Sequence, residues 1–452
     1  MYDLVIRNGM IVQSDITYQA DIGVKDGIIA AVVKNGGIGE GKTEIDAANR
    51  LIFPGGIDTH AHLNDPGFTW REDFSHGTAA AVAGGITTVI DMPMQNEPAM
   101  ISGDIMDRKI ECISKKAHAD YALLGGMIST NFSELEELEE KGCVGFKSFI
   151  GPVSPDYESL SYGKIREALK ITARLGIRVD FHCEDFSIIK NGEEEQKRLG
   201  NSDWKGFLAS RPVSAEVIAV SAVIELARET GAKIHICHVS HPDVCAVIDR
   251  AQREGIDVTA ETCSHYLVFS EKDLLKQGAL YKCAPPLRSE NAREQLWKYV
   301  EKNVLCSVAS DHSPCRADEK NLGPDGVWSV WGGISGIQHI MQCFYSEGVV
   351  KRNLPLSSIA RTLGENPARA FGLWGRKGGI IPGFDADLVI WDTKRNWKIT
   401  KEELLYKNPI SAFVGLEGIG YPEKVFLRGK LAAENGRVCN CEGDGIFIAR
   451  QC

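Results

Sequence analysis

An alternation of strand-like and helix-like segments, repeated eight times through the middle of the chain, most constrains how this chain can fold. Each unit begins with a short apolar run and continues into an amphipathic stretch. The apolar runs are 51–60, 85–92, 120–126, 142–147, 178–182, 233–238, 257–262 and 304–311. The helix-like stretches are 72–84, 104–118, 133–141, 162–175, 214–230, 243–254, 291–300 and 334–346. Eight such units predict a parallel sheet closed into a (β/α)₈ TIM barrel. An open doubly wound sheet is the alternative, which the absence of a GxGxxG loop after the first run disfavours.

The two ends of the chain carry a different pattern. Residues 1 to about 50 contain short strands joined at Asn-Gly and Asp-Gly dipeptides, which favour tight turns. Further strand-like runs at 386–391 and 424–430 follow the barrel segment. The simplest arrangement joins both ends into one small β-sandwich beside the barrel, with separate end caps as the alternative. We therefore predict three parts: 1–52 as the first part of the sandwich, 53–378 as the barrel, and 379–452 as the second part of the sandwich and the C-terminal tail.

Composition narrows the class of protein. The chain has 51 Lys+Arg against 61 Asp+Glu, a net charge of −10, whereas a nucleic-acid or anionic-membrane surface needs a basic excess. The N-terminal residues lack the basic and apolar regions of a signal peptide, and no uninterrupted apolar run reaches the roughly 18 residues of a membrane span. The 13 scattered cysteines are typical of reduced thiols in a cytosol. We expect a cytoplasmic protein with neither a nucleic-acid nor a membrane partner.

Candidate metal ligands stand where the strand-like runs end. They are His60, His62, His182, His238 and Asp311. The His-x-His pair of the first run points both imidazoles to one face of a strand, because the strand period is two. The C-terminal strand ends of a parallel barrel carry the active site. Singly, each residue has an ordinary structural explanation, and His235 shares the strand face of His238. Together, they predict a metal site.

Lys147 ends the fourth apolar run and is the unusual member of this set. A charged lysine inside an apolar strand is costly, and burial lowers the pKa of its amine. The neutral amine can react with carbon dioxide, and the resulting carbamate has two oxygens suited to bridging two cations. Lys147 is therefore predicted to be carboxylated and to complete a binuclear site, with ions about 3.5–4 Å apart.

Several short stretches make the chain resemble the cyclic amidohydrolases, the family of dihydroorotases, hydantoinases or dihydropyrimidinases, and allantoinases. The matching stretches are 54–62 (PGGIDTHAH), 145–149 (GFKSF), 182–184, 235–240, 261–266, 284–288, 310–314 and 382–388. They span nearly the whole chain in the family's order. The resemblance implies a TIM barrel with a composite β-sandwich, and a metal-dependent hydrolase that is commonly a homotetramer.

The resemblance also implies which residues hold two divalent ions, usually zinc, with iron, cobalt or manganese as alternatives. By motif matching, one ion is held by His60, His62 and Asp311, the second is held by His182 and His238, and carboxylated Lys147 bridges them. Carbon dioxide is required for that carboxylation. In the implied reaction a metal-bridging hydroxide attacks the ring amide. Asp311 takes the proton as general base and then returns it to the leaving nitrogen as acid.

Within the family, the chain resembles allantoinases most. Dihydroorotases carry an arginine where this chain has Asn64, and hydantoinases carry a tyrosine where it has Pro152. The allantoinase-like stretches are 64–67, 145–149, 209–212, 282–286, 311–315 and 331–338. Two departures concern the pocket mouth: Phe68 stands where allantoinases have arginine, and Ala284 where many relatives have serine.

The implied reaction is hydrolysis of the hydantoin ring amide of (S)-allantoin to allantoate, a step of purine nitrogen recovery. The implied substrate contacts are Asn64, Cys283, Gly332 and Gly333. A hydantoinase or dihydropyrimidinase, acting on 5-substituted hydantoins or dihydropyrimidines, is the alternative. A non-catalytic scaffold is the alternative of another class, but all six ligand positions are filled here.

Overall fold

Two sheets organise the chain. The computed structural model describes residues 1–34, 36–152 and 157–451. Before the barrel come β1 (Tyr2–Val12), β2 (Thr17–Lys25), β3 (Ile28–Val33), β4 (Gly41–Asp46) and β5 (Leu51–Pro54). The barrel strands are β6 (Gly56–Ala61), β7 (Ile86–Asp91), β8 (Asp120–Gly126), β9 (Gly145–Phe149), β10 (Arg178–His182), β11 (Lys233–Ile236), β12 (Val258–Cys263) and β13 (Ser307–Ala309). After the barrel come β14 (Leu388–Lys398), β15 (Glu417–Leu427), β16 (Lys430–Glu434) and β17 (Arg437–Val438).

The eight central strands, β6 to β13, pair in sequence order and in parallel. The first and last strands meet through a parallel bridge between Ala61 and His312. There the His62 N–H donates to the His312 carbonyl over 2.8 Å. This arrangement confirms the predicted (β/α)₈ barrel.

Helices connect and surround the strands. They are α1 (Phe74–Ala83), α2 (Gly103–Ile113), α3 (Leu135–Glu140), α4 (Tyr162–Leu175), α5 (Phe186–Arg198), α6 (Trp204–Ser210), α7 (Val213–Thr230), α8 (Pro242–Arg253), α9 (Ser264–Val268), α10 (Glu271–Gln277), α11 (Glu290–Glu301), α12 (Ile340–Phe344), α13 (Ser357–Ala360) and α14 (Asn366–Ala370). Several begin at a side chain that accepts a hydrogen bond from the first turn, which satisfies an otherwise free backbone N–H. These caps are Asp73, Ser102, Ser161, Asp185 and Ser289.

The first apolar run forms two strands rather than the single one that its composition predicts. Strand β5 belongs to the terminal sheet, and β6 belongs to the barrel. Gly55 lies between them, and a Cβ atom there would come within 2.2 Å of Thr87 Oγ1. The close approach of these two segments therefore requires glycine at the point where the chain passes from one sheet to the other.

The other differences also concern element bounds. Helices α5 and α6 precede α7 in the fifth unit, and the apolar pattern did not predict them; α5 has Ile189 as its one buried residue within the described chain. In the eighth unit the strand is short, and the predicted helix 334–346 is a 3₁₀ turn at Ile337–His339, then α12, then a π turn at Tyr345–Val350. The apolar residues of α5 are confined to its first turn, so the helix gives no extended apolar pattern.

Both ends of the chain join in one nine-stranded sheet, as predicted. Strand β5 pairs in parallel with β1 and antiparallel with β14, which places Ile52 opposite Ile390. A separate cluster of buried side chains, including Ile22 and Phe426, fills this part of the molecule. The C-terminal tail then returns to the barrel, where the Ile448 N–H donates to the Tyr121 carbonyl over 2.8 Å.

A buried ion cluster connects the two sheets. Lys377 Nζ lies 2.5 Å from Asp120 Oδ2 at the start of β8, and 2.8 and 2.7 Å from carboxylate oxygens of Asp385 and Asp387. Arg428, which follows β15, also pairs with Asp120. This Lys377 cluster fixes the terminal sheet against the N-terminal end of the barrel, opposite the end that carries the site.

The stretch 204–230 is long and apolar enough, by length and composition alone, to cross a membrane. It comprises α6 and α7, and half of its most apolar window is buried inside the protein. Its buried Glu216 accepts hydrogen bonds from Ser240 Oγ and Arg288 Nη2 over 2.5 and 2.8 Å. Packing against the barrel accounts for the apolar composition of this stretch.

Candidate metal centre

A cavity of about 260 Å³ opens at the C-terminal ends of the barrel strands. It is lined by His60, His62, Met94, Gln95, Lys147, Phe149, Pro152, His182, His238, Ala284, Asp311, Ser313, Trp331 and Gly332. All six residues that the sequence predicts as metal ligands are in this set. The strand ends thus bring together side chains that are far apart in the sequence.

Asp311 lies against both imidazoles of the His-x-His pair. Its Oδ1 atom is 3.3 Å from His60 Nε2 and 3.4 Å from His62 Nε2. Burial alone would raise the pKa of Asp311, but the two adjacent imidazoles hold that pKa well below its usual value. The three residues offer ligand atoms that all lie within 4.8 Å of one another, which fits a single divalent ion.

His182 and His238 form a second group across the cavity. His182 Nδ1 lies 3.0 Å from His238 Nε2, and the His182 ring stacks on Phe149 with ring centres 5.2 Å apart. Burial lowers the pKa of His238 well below its usual value, and the neighbouring His182 and Lys147 lower it further. His238 is therefore a neutral imidazole, the form that binds metals.

Lys147 is fully buried, and its Nζ lies 2.8 Å from Cys237 Sγ. The sequence predicts that burial lowers the pKa of this amine, and the structure corrects that expectation. Burial does act downward, but Cys237 and the carboxylates of Asp180 and Glu261 outweigh it and raise the pKa of Lys147. In the unmodified protein, the two carboxylates favour the charged amine.

Two of the cavity residues adopt strained backbone conformations. His238 has φ +38° and Asp311 has φ +43°, in a region that residues with a Cβ atom rarely occupy. Such conformations cost of order 1–3 kcal/mol each and persist where the surroundings enforce them. Both residues follow barrel strands, so the strain turns their side chains toward the cavity.

Glu261, in β12, is the most important residue whose role the sequence did not reveal. Its Oε1 atom accepts a hydrogen bond from His60 Nδ1 over 2.6 Å, and its Oε2 accepts one from Thr59 Oγ1 over 2.5 Å. Burial would raise the pKa of Glu261, but the adjacent His60 and His235 hold it well below its usual value. A carboxylate in an otherwise apolar run, at the start of the family-like stretch 261–266, was the signal that could have identified it.

The structure shows which of His235 and His238 faces the cavity, whereas their spacing in the sequence could not. His238 lines the cavity. His235 Nδ1 instead lies 2.8 Å from Thr259 Oγ1, and its Nε2 lies 3.3 Å from Glu261 Oε2. His235 therefore contributes to the layer of polar side chains beneath the cavity.

Glu184 places a carboxylate beside a ring nitrogen of His182, as Glu261 does for His60. His182 Nε2 lies 3.1 Å from Glu184 Oε2, and Arg211 Nη1 donates to the same oxygen over 2.6 Å. Burial would raise the pKa of Glu184, but Arg211 and His182 lower it to about 2. A histidine whose second nitrogen donates to a carboxylate is the usual arrangement around protein-bound metals. The residues present therefore fit a metal centre.

Asp58 supports the loop that carries Asp311. Its carboxylate accepts from the Ser310 backbone N–H over 2.9 Å and from Ser310 Oγ over 2.5 Å. Burial raises the pKa of Asp58 to about 7 despite these hydrogen bonds. The contact ties the end of β13 to β6 directly beneath the cavity.

The predicted substrate contacts fall in different places. Gly332 lines the cavity, and Cys283 is the buried neighbour of the lining residue Ala284. The Gly333 carbonyl accepts from Lys320 Nζ over 2.7 Å, and Asn64 is fully buried with φ +58°. Sequence reasoning assigned no contact to Met94, Gln95, Phe149, Ser313 and Trp331, although they line the cavity. Residues 153–156, next to Pro152, lie outside the described part of the chain.

Comparisons with known proteins agree with this geometry. The sequence model of the Amidohydrolase family matches residues 51–432. An allantoinase from Rubrobacter xylanophilus is 40% identical over 453 residues, which covers 100% of this chain and 98% of that protein. An allantoinase from Salmonella newport is 35% identical, and the match covers 95% of this chain and 94% of that protein.

Among solved structures, an L-hydantoinase (dihydropyrimidinase) from Arthrobacter aurescens has a TM-score of 0.97 and 32% identity, with 100% of both chains covered. A dihydropyrimidinase from Brevibacillus agri has a TM-score of 0.92 and 28% identity, with 99% of this chain and 98% of that chain covered.

Proposed function

Because the chain belongs to the amidohydrolase family, we propose that it hydrolyses the hydantoin ring amide of (S)-allantoin to give allantoate. The coarser conclusion is that the chain is a hydrolase of cyclic amides. The assignment of allantoin as the substrate rests on one observation. The cavity contains four imidazoles, a carboxylate and a buried lysine, and the chain is similar over its full length to proteins named allantoinase. Allantoate formation would place the reaction in purine nitrogen recovery.

Metal dependence is general in this family, and His60, His62 and Asp311 lie close enough together to share one divalent ion. We assign His60, His62 and Asp311 to one ion, with His182 and His238 assigned to the second. Carboxylated Lys147 would bridge the two. Zinc is the first choice by donor type, with iron, cobalt and manganese as alternatives. Glu261 and Glu184 would orient His60 and His182 through their second ring nitrogens.

The chemistry divides between the ions and the protein. When bound, the ions would lower the pKa of a water molecule and polarise the ring carbonyl. Asp311 would take the proton of the attacking water at its carboxylate and deliver it to the ring nitrogen that leaves. Its Oδ1 atom lies 3.3 and 3.4 Å from the Nε2 atoms of His60 and His62, which places the carboxylate at the cavity wall.

Backbone groups would hold the substrate ring. A planar ring amide presents a donor and an acceptor side by side, which backbone N–H and C=O groups can match. We assign this role to the backbone at Cys283 and at Gly332–Gly333. The buried Asn64 would support the loop that follows β6. We further propose a homotetramer, on the basis of the family resemblance alone, and a cytoplasmic location, on the basis of the scattered cysteines.

The alternative substrate class has a specific observation in its favour. The L-hydantoinase from Arthrobacter aurescens matches the fold over the full length of both chains. Ala284, which lines the cavity, also lacks the hydroxyl that the resemblance leads one to expect. A ring with an apolar substituent at its 5-position would meet no unpaired hydroxyl there.

A parallel assay separates these candidates. The protein is loaded with zinc or iron and incubated with racemic allantoin, dihydrouracil, hydantoin and dihydroorotate, and ring opening of each is followed. Preference for allantoin supports the proposal. Ring opening of dihydrouracil or hydantoins with allantoin intact would overturn it in favour of the alternative.

Metal analysis of the same preparation tests whether the protein is instead a non-catalytic scaffold. An enzyme of this kind purifies with stoichiometric divalent metal, whereas a non-catalytic scaffold would not. An Asp311→Asn variant serves as the matched control for the assay. Its carboxamide keeps the shape of the side chain but cannot take up the proton, so residual ring opening by contaminants would remain visible.

A further inference from the structure

Trp331 forms part of the cavity wall, and its indole is held from several directions. The guanidinium carbon of Arg71 lies 3.8 Å from the centre of the Trp331 ring, a stacked cation–π contact. Trp331 Nε1 donates to the Ser313 carbonyl over 3.3 Å. Its backbone N–H donates to the Glu319 carbonyl over 2.9 Å. A half-buried tryptophan in a loop would otherwise sample several rotamers, and these contacts select one.

Arg71 is itself fixed by Glu319. Its Nε and Nη2 atoms donate to Glu319 Oε1 over 2.9 and 2.5 Å. Both side chains are mostly buried, with exposed fractions of 16% and 17%. Arg71 lies between β6 and α1, whereas Glu319 lies beyond β13. The ion pair therefore joins the first and last loops of the barrel beside the cavity mouth.

The buried Lys282 and the half-buried Lys320 fix the backbone on either side of Trp331. Lys320 Nζ donates to the carbonyls of Trp331 and Gly333 over 3.0 and 2.7 Å. Lys282 Nζ donates to the carbonyls of Val327 and Val330 over 2.8 and 2.6 Å. The cavity wall at 331–333 is therefore a fixed surface, although it lies in an irregular segment.

We propose that Trp331 is a specificity-determining residue, and that Arg71 is the positioning residue that holds it. The proposal rests on the proposed function in one respect, that the substrate is a cyclic amide. With the reacting ring against the imidazoles and Asp311, Trp331 and Gly332 line part of the wall that remains for a substituent on the ring. A fixed indole offers a flat surface to a planar substituent, such as a ureido group, and resists a branched aliphatic one.

The neighbourhood of Phe68 supports this assignment. Phe68 is the position at which the sequence departs from its relatives, and the cavity-lining residues of the described chain do not include it. Arg71, three residues later, brings a guanidinium to the mouth instead, with its carbon atom 5.7 Å from the Phe68 ring centre. The cationic group on this loop therefore contacts Trp331, which lines the cavity.

The test compares variants by the ratio of kcat/KM for a substituted ring to kcat/KM for unsubstituted hydantoin. Trp331→Ala is expected to lower this ratio about tenfold or more, mainly through KM for the substituted ring. Trp70→Ala is the matched control, because Trp70 is a neighbouring, 45% exposed tryptophan outside the cavity lining. It should leave the ratio unchanged.

A double-mutant cycle tests the positioning role. Arg71→Met should shift the ratio in the same direction by about threefold to tenfold, and should have no further effect in the Trp331→Ala background. Arg71→Lys should restore only part of the wild-type ratio, because lysine keeps the charge but lacks the planar group. Arg316→Met is the control, since Arg316 is exposed and pairs with Asp318. Metal content and thermal stability are measured for every variant.

The outcomes separate this inference from the proposed function. The substituted ring is allantoin or, if the wild type leaves allantoin intact, a hydantoin with another planar 5-substituent, which overturns allantoin as the substrate and leaves the ratio measurable. A wild type that prefers a branched aliphatic 5-substituent overturns the specificity role as well. Folded, metal-loaded Trp331→Ala protein with a wild-type ratio overturns the specificity role. Additive effects of Arg71→Met and Trp331→Ala overturn the positioning role. A wild type that opens none of the rings overturns both proposals.

Discussion

Glu261 Oε1 lies 2.6 Å from His60 Nδ1, and this contact decides which imidazole nitrogen faces the cavity. The ionised carboxylate accepts the Nδ1–H, so Nε2 carries the free lone pair, 3.3 Å from Asp311. The two residues lie on β6 and β12, so the tautomer of His60 depends on the closed barrel.

Glu261→Gln should therefore weaken metal binding. A carboxamide is a poorer acceptor and leaves both tautomers of His60 accessible, and loss of such a partner costs about 10–100-fold in metal affinity or activity. The measurement is the metal content after dialysis against a graded chelator, with kcat/KM at saturating metal. Glu417→Gln, at an exposed residue paired with Lys398, is the control. Wild-type metal retention by Glu261→Gln would show that His60 needs no such partner.

Lys147→Ala should abolish binuclear metal binding and ring opening. Lys147 is fully buried at the cavity, and a methyl group can supply no bridging anion. Short carboxylic acids added to the solution should partly restore activity, because their oxygens can replace those of the carbamate. The experiment measures metal per subunit and the ring-opening rate with and without added acid. Lys164→Ala, at an exposed residue paired with Glu167, should behave as wild type. Full activity of Lys147→Ala without any acid would remove the lysine from the mechanism.

Lys282 should make the protein more stable as the pH rises above neutral. Burial lowers the pKa of Lys282 to about 7 in the folded protein, and the nearby Arg211 and Lys320 act in the same direction. In the unfolded chain the amine keeps its proton up to a pKa of about 10.4. Between these values the unfolded state binds more protons, so the free energy of unfolding increases with pH. Below pH 7 the Lys282 amine is protonated in both the folded and the unfolded state. Its contribution to the free energy of unfolding then no longer changes with pH.

The Lys282→Met variant isolates this effect. Urea unfolding of wild type and variant is measured from pH 6 to pH 9.5, and the difference in unfolding free energy is compared at each pH. The wild type should gain up to about 1 kcal/mol per pH unit relative to the variant above pH 7. A difference that stays constant with pH would mean that the folded amine keeps its ordinary pKa.

Lys377→Met should destabilise the protein severely. Lys377 is 1% exposed and pairs with Asp120, Asp385 and Asp387, so its removal leaves buried carboxylates with less compensation. Breaking a buried ion pair from one side costs about 3–5 kcal/mol. Equilibrium unfolding in denaturant measures the loss. Lys430→Met, at a 75% exposed lysine paired with Asp444, should change stability by less than about 0.5 kcal/mol. Equal stabilities of the two variants would contradict a connecting role for the cluster.

The barrel could be predicted because its signal is local. Each strand–helix unit carries its own apolar periodicity, and the eight units in order leave few alternatives. The position of the predicted ligands followed from the same rule, since His60, His182 and Asp311 close their apolar runs. The joining of both chain ends was also predicted and is confirmed by the pairing of β5 with β14. The domain limits after residues 52 and 378 stay predictions.

The contacts around the ligands could not be predicted, because they join residues far apart in the sequence. Arg71 and Glu319 meet only when the barrel closes. The pKa of Lys147 was predicted in the wrong direction for the same reason. Burial can be inferred from an apolar run, but the placement of Cys237 and of two carboxylates beside the amine cannot. Helix α5 escaped prediction because its apolar residues are confined to its first turn.

The pairing of Ile52 with Ile390 also sets an order of events during synthesis. Strands β1 to β5 leave the ribosome first, but the strand that covers β5 is made only after the whole barrel segment. At about 5–20 residues per second, this edge waits roughly 20–70 s for its partner. During that time an unpaired strand edge is open to contacts with other chains. The newly made protein therefore passes through a period in which the barrel can form while the first strands still await the last.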